Sequence, residues 1–178
     1  MDFGLPHLVS LGGYVQAHTG VRVEILDLNY EGGDHASLRR TLDELGPFLV
    51  IGVSTYSSFD RMRALSVARF LRDAYPDTLI VTGGYHASAV PDDLLFDGSP
   101  FDVVMKGEAE ELLADIVRTL LGGGTVEPGV HGPGKVRDLD ALPPMRWELL
   151  NRYWPRALQL GRKLQVYLAR GCPYRCTF

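Results

Sequence analysis

The sequence predicts an α/β fold built on a doubly wound parallel sheet, and three observations predict it. Short apolar runs at 48–53, 79–81 and 103–105 have strand length and no polar alternation, the pattern of strands covered on both faces. Segments of helical length lie between them, with apolar residues three and four apart. Turns rich in glycine and hydroxyl residues follow the runs. Strands alternating with amphipathic helices make βαβ units, and βαβ units make a parallel sheet.

The elements follow in order. Residues 5–18 read as a helix, with Leu5, Leu8, Gly12 and Val15 on one face, Pro6 in its first turn and Gly20 as its stop. Val21, Val23, Ile25, Leu26 and Leu28 read as a strand closing in Asp27-Leu28-Asn29. Asp34 caps a second helix whose apolar face is Leu38, Leu42 and Leu45. After the strand 48–53 a third helix carries Met62, Leu65, Ala68, Leu71 and Tyr75 as a stripe, and Pro76 closes it. The run 79–81 leads into Thr82-Gly83-Gly84. The run 103–105 leads into Lys106-Gly107-Glu108 and a helix bearing Leu112, Leu113, Ile116, Val117, Leu120 and Leu121.

Residues 1–122 therefore form one Rossmann- or flavodoxin-like domain. Such folds begin with a strand that sits centrally in the sheet, whereas this sequence opens on a helix. The first strand is expected upstream of Met1, or reduced to residues 1–3. Residues 123–160 have a glycine- and proline-rich, linker-like composition, then turn aromatic at Trp147, Tyr153 and Trp154, which predicts packing along a surface. Residues 161–178 start a second domain, with Leu164–Ala169 as its first strand.

Composition sets the outer limits. With 178 residues, 46% hydrophobic and 22% charged, the chain can build an ordinary globular core. The net charge of −4 and the lack of a sustained Lys/Arg run give no sign of nucleic-acid binding. No apolar stretch approaches the roughly 20 residues of a membrane span, and the N-terminus lacks a secretory pattern. The expectation is a cytoplasmic protein without a membrane partner.

In open α/β sheets ligands bind beyond the carboxyl ends of the strands. Those ends here are Asp27-Leu28-Asn29, Ser54-Thr55-Tyr56-Ser57-Ser58, Gly83-Gly84-Tyr85-His86 and Lys106-Gly107-Glu108. Glycine admits a bulky ligand to the backbone, and hydroxyls offer hydrogen bonds without bulk. Glycine pairs and serines also serve simply as turns and caps. No phosphate loop of the G-x-x-x-x-G-K-[ST] or G-x-G-x-x-G type is present.

The tail reads Arg170-Gly171-Cys172-Pro173-Tyr174-Arg175-Cys176-Thr177-Phe178. Two cysteines alone fit buried thiols as well as ligands. No other cysteine exists to build a disulfide framework, and no second Cys/His pair completes a zinc site. One further cysteine directly after Phe178 would complete a C-x3-C-x2-C triplet, able to hold three irons of a [4Fe–4S] cluster and leave the fourth open. This tail resembles the cluster loop of radical S-adenosylmethionine enzymes, and the strand-end turns before it resemble the cobalamin-binding domain that precedes many of them. The Gly4-Leu5-Pro6-His7-Leu8 opening and the Ala141-Leu142-Pro143-Pro144 segment fit the same pattern.

The resemblance implies a set of roles. Ser54, Thr55 and Ser57 would line the slot for the cobalamin nucleotide tail, Gly83 and Gly84 would let it pass, and Gly107 and Glu108 would sit near its ribose and phosphate. Tyr56, Tyr85 and His86 would lie nearer the corrin. Cys172 and Cys176 would ligate iron, and Phe178 would pack near the adenine of S-adenosylmethionine. The parent would be a methyltransferase in which a βα-barrel domain binds a small-molecule or peptide substrate, with this piece inactive alone. The alternatives are a cobalamin carrier or sensor, or a docking platform that has lost the cofactor. One departure is notable: the Asp-x-His-x-x-Gly motif of methionine-synthase-like domains is absent, so the cobalt is expected without an imidazole beneath it, His86 being the residue best placed to overturn this. A phosphoacceptor receiver would need an aspartate where Ser54 stands, and a methylthiotransferase would carry cysteines before Cys172.

Overall fold

The three apolar runs become β1 (Val50–Ser54), β2 (Leu79–Gly83) and β3 (Val103–Gly107), joined by a fourth strand, β4 (Gly129–Gly134). The order is β1-β2-β3-β4 and all neighbours are parallel, with Val50 opposite Leu79, Val81 opposite Val103, and Val103 opposite Gly129. This computed structural model describes residues 3–31, 34–167 and 169–171. Cys172, Cys176 and Phe178 lie outside the described residues.

Strand side chains divide strictly by parity, because successive residues face opposite sides of a sheet. Ile51, Val53, Ile80 and Val104 face α2 (His35–Leu45) and α3 (Arg61–Ala74), meeting Leu38, Leu42, Leu65 and Leu71. Val50, Leu79, Val81, Val103 and Met105 face α5 (Glu110–Leu121), which α1 (Pro6–Thr19) covers in turn. Both faces of the sheet are thus covered, as the continuous apolar runs require. Ile80, Val81, Val103 and Val104 are completely buried, each worth about 1.5–3 kcal/mol relative to exposure. Asp34 caps α2, its carboxylate accepting the Ser37 N–H at 2.8 Å. Met62 departs from the predicted stripe: it is 64% exposed at the first turn of α3.

The predicted strand at 21–28 is not a strand among the described residues. In 21–28 burial alternates as expected: Arg22 and Glu24 point out, while Ile25 and Asp27 are buried. Leu26 and Leu28 pack with the α2–α3 side, and Ile25 packs on the other. Among the described residues, however, no ladder joins this segment to β1. Alternation fixes which side chains face the core, but a ladder also needs a neighbouring backbone. Near the start of the predicted strand Leu164–Ala169, Leu164 makes a parallel bridge with Phe3, closed by Phe3 N–H to Lys163 C=O at 2.9 Å and Gln165 N–H to Phe3 C=O at 2.7 Å.

The glycine- and proline-rich stretch supplies β4. A Cβ on Gly107, which sits at φ +83°, would collide with the Gly134 carbonyl, so this pair of strands closes only because glycines face each other. The aromatic stretch packs as predicted. Leu150 is fully buried, and Phe3 meets Trp154 edge-to-face at 5.1 Å. The Tyr153 hydroxyl accepts the Asp27 N–H at 2.8 Å and donates to Glu31. Burial, then that carboxylate, push the Tyr153 pKa well above the usual phenol range. Among the described residues no helix is long and apolar enough to cross a membrane.

Candidate cofactor site

The carboxyl ends of β1, β2 and β3 form one row, since Ser54 pairs with Gly83 and Gly83 with Met105. β3 continues for two residues beyond that row to Gly107, which places Glu108 past the line of the other strand ends. The sequence-predicted residues therefore share one sheet edge, although the structure uses them in different ways.

Thr55 is fully buried, its hydroxyl 2.9 Å from that of Thr82, which donates to the Val53 carbonyl at 2.8 Å. Ser57 Oγ donates to Asp60 at 2.6 Å, fastening the turn that enters α3. Gly84, at φ +125°, packs on the neighbouring turn: an added Cβ would lie 2.5 Å from the Thr55 carbonyl oxygen. Thr55 N–H also donates to the Gly83 carbonyl at 2.8 Å. The two turns are thereby locked backbone to backbone. Gly83 is less constrained, a Cβ there meeting Met105 at an ordinary 3.6 Å.

His86, expected nearer the corrin, is 6% exposed. It sits in the short helix α4 (Tyr85–Ala89), where Nδ1 lies 3.0 Å from Ser58 Oγ. Nε2 is 3.4 Å from Asp93 Oδ2, within ion-pair range but without hydrogen-bond geometry, so it is a buried polar atom lacking a hydrogen bond. The neighbouring side chains open outward. Tyr56 is 45% and Tyr85 68% exposed, and their rings meet edge-to-face at 5.0 Å.

Sequence reasoning missed His7. Leu5 holds a left-handed φ of +41° ahead of Pro6 and starts α1 beside the end of β1. His7 Nε2 then lies 3.5 Å from Ser54 Oγ, and its ring is 5.7 Å from Tyr56. His7 Nδ1 is buried without a partner, and burial lowers the His7 pKa. The signal was present in the Gly4–Leu8 opening, but only the fold shows that this opening reaches Ser54.

The edge after β3 is charged. Glu108 Oε2 accepts the Val136 N–H at 2.5 Å, and Gly107 N–H donates to Ser88 Oγ at 2.9 Å. Glu110, the first residue of α5, is 4% exposed and bonds Ser10 Oγ at 3.2 Å. Arg170 pairs with both carboxylates, 2.6 Å from Glu110 and 3.4 Å from Glu108.

A parallel α/β sheet with hydroxyls, an imidazole and open tyrosines along its carboxyl edge defines a small-ligand-binding domain of the open-sheet class. The B12 binding domain family matches residues 6–117, and the chain belongs to that family. Among curated proteins it is 27% identical to the anaerobic magnesium-protoporphyrin IX monomethyl ester cyclase of Cereibacter sphaeroides, across 93% of this chain and 28% of that protein. It is 29% identical to the hopanoid C-3 methylase of Methylococcus capsulatus, across 89% of this chain and 32% of that protein. A cobalamin-dependent radical SAM methyltransferase of Streptomyces tokunonensis is 29% identical, across 72% of this chain and 21% of its own. The chain thus spans about a third or less of the length of these relatives. No solved structure matches it significantly.

Proposed function

We propose that this chain holds cobalamin across the carboxyl ends of β1, β2 and β3, as the cobalamin-binding portion of a radical S-adenosylmethionine enzyme that transfers a methyl group. The observation that carries the reading is the Ser54–His7 corner. Among the described residues it offers a hydroxyl with no closer polar partner, an imidazole nitrogen left without one, and an open tyrosine pair, all at the sheet edge within the family match. A polar, half-open corner of this kind fits a large cofactor with many amide groups.

When bound, cobalamin supplies a cobalt centre able to carry a methyl group. The chain's residues bind and orient. Ser54 and His7 offer hydrogen bonds at the slot, Gly83 keeps its floor low, and Tyr56 and Tyr85 present aromatic faces to the macrocycle. Thr55, Ser57, Gly84 and His86 keep the two turns in register from beneath. Gly107 and Glu108 close the far side. Cys172 and Cys176 are proposed as cluster ligands, with Phe178 beside the adenine of S-adenosylmethionine. That assignment draws on the spacing of the two cysteines and on the resemblance of the tail to a cluster loop.

The test is anaerobic titration of the chain with hydroxocobalamin, then desalting and visible absorption. Near-stoichiometric retained colour is expected, reduced at least tenfold by Ser54→Leu, which fills the slot. A folded protein that retains no colour would overturn the assignment and favour a docking platform without cofactor.

A further inference from the structure

The segment after the linker is fastened to the α/β domain at two separate places. Leu164 bridges Phe3. Tyr167 lies near Tyr56 at the end of β1, and burial, then Tyr56, push its phenol pKa up. Arg170 reaches the other side of the same edge, its Nη2 2.7 Å from Ser10 Oγ and 2.6 Å from Glu110 Oε1, with Nη1 3.4 Å from Glu108 Oε1. The segment therefore runs along the carboxyl edge of the sheet, from the turn after β1 to the turn after β3.

Arg170 is the contact with the most electrostatic consequence. Glu110 is a carboxylate with 5% of its side chain exposed, and among the described residues Arg170 is the cation paired with it. A buried charge left alone is strongly disfavoured, so the pair either stays closed or opens to water as a unit. The planar guanidinium meets oxygens from α1, α5 and the β3 turn together, which an ammonium point charge does not reproduce. Its separation from Ser10 is 160 residues, so this contact joins the two extremes of the chain. Gly171 at φ +83° then turns the chain directly before Cys172.

We propose that Arg170 is a positioning residue, a latch that holds segment 164–171 along the cofactor edge through Glu110, Glu108 and Ser10, and so fixes where the cysteine loop begins relative to that edge. The latch follows from the ion-pair geometry alone; only its functional meaning rests on the cobalamin reading.

Amide hydrogen exchange on the whole chain tests it, comparing wild type with Arg170→Gln, Arg170→Lys and Glu110→Gln. In both glutamine variants peptides covering 164–171 should exchange at least tenfold faster, while amides in β1, β2 and β3 keep their protection. Arg170→Lys should fall between Gln and wild type, because it keeps the charge and loses the fork. Unchanged exchange of 164–171 in Arg170→Gln overturns the latch, and so does a Lys variant that matches Gln. Should Arg170→Gln fail to fold, the double variant Arg170→Gln/Glu110→Gln leaves no uncompensated charge buried. It should then fold with 164–171 unprotected, and a protected segment in it overturns the proposal. A parallel hydroxocobalamin retention measurement on wild type separates the two readings: loss of colour there removes the cobalamin assignment and leaves the exchange result standing.

Discussion

The turns after β1 and β2 and the turn after β3 leave the same edge of one sheet, yet they hold their side chains by opposite means. The first two are bound mainly by uncharged hydroxyl and backbone groups, Thr55 to Thr82 and Thr55 N–H to Gly83, with Ser57 on Asp60 and Ser58 on His86 beside them. Their outward side chains, Tyr56 and Tyr85, stay open. The third is bound by ions across long chain separations, through Glu108, Glu110 and Arg170. Neutral bonds fix a shape without committing charge, which leaves a surface free to meet a ligand. Buried ion pairs commit charge to a single partner, which suits the docking of one protein segment on another. On the proposed reading, one half of the edge faces the ligand and the other the protein's own chain.

The largest expected effect falls on the neutral half. Gly84→Ala puts a Cβ 2.5 Å from the Thr55 carbonyl oxygen at a φ of +125° that L-residues rarely adopt. Strain and overpacking together should cost about 3 kcal/mol or more, read as a fall in the urea midpoint, with loss of cobalamin retention. Near wild-type stability would mean that the two turns are not locked to each other.

Thr55→Val comes next. It keeps the shape and removes the hydroxyl, and Thr82 still donates to Val53. A loss of about 1 kcal/mol is expected, with little dependence on salt because no charge is involved. A strongly salt-dependent loss would break the contrast between the neutral and ionic halves.

The sequence carried the parity of β1, β2 and β3 and the alignment of Ser54, Gly83 and Glu108 on one edge, because apolar runs and turn residues are local signals. It did not carry the pairing. Residues 21–28 have a strand's alternation and no ladder, while Gly129–Gly134 has a loop's composition and pairs with β3. Glycine there reports how closely two strands approach, which composition cannot separate from a flexible linker. Within the site, the burial of His86 was not legible, because its hydroxyl partner Ser58 lies 28 residues away in the chain. His7 and Arg170 were missed as partners of Ser54 and Glu110 for the same reason.

A smaller effect should appear with pH. Burial lowers the His7 pKa below the usual 6.5, so the folded state holds the neutral imidazole more favourably than the unfolded chain does. The unfolded chain then binds more protons, and stability rises with pH through this range. The His7 contribution is fully present above about pH 6.5 and is lost as pH falls toward the lowered value. Urea midpoints measured from pH 8 to pH 5 should fall for wild type and fall less for His7→Gln. Equal slopes in the two proteins would place the titrating group elsewhere and weaken the Ser54–His7 corner as the polar heart of the neutral half.

The smallest effect marks the outer limit of that half. Phe59 follows the Ser57–Ser58 turn and is 98% exposed, so it buries almost nothing in this fold. Phe59→Ser should change stability by less than about 0.5 kcal/mol, as surface substitutions away from special features do. Its effect on cobalamin retention is the sharper reading. If the ligand-facing surface ends at Tyr56 and Tyr85, retained colour stays equal to wild type. A clear drop at unchanged stability would extend that surface from Tyr56 along the turn to the start of α3.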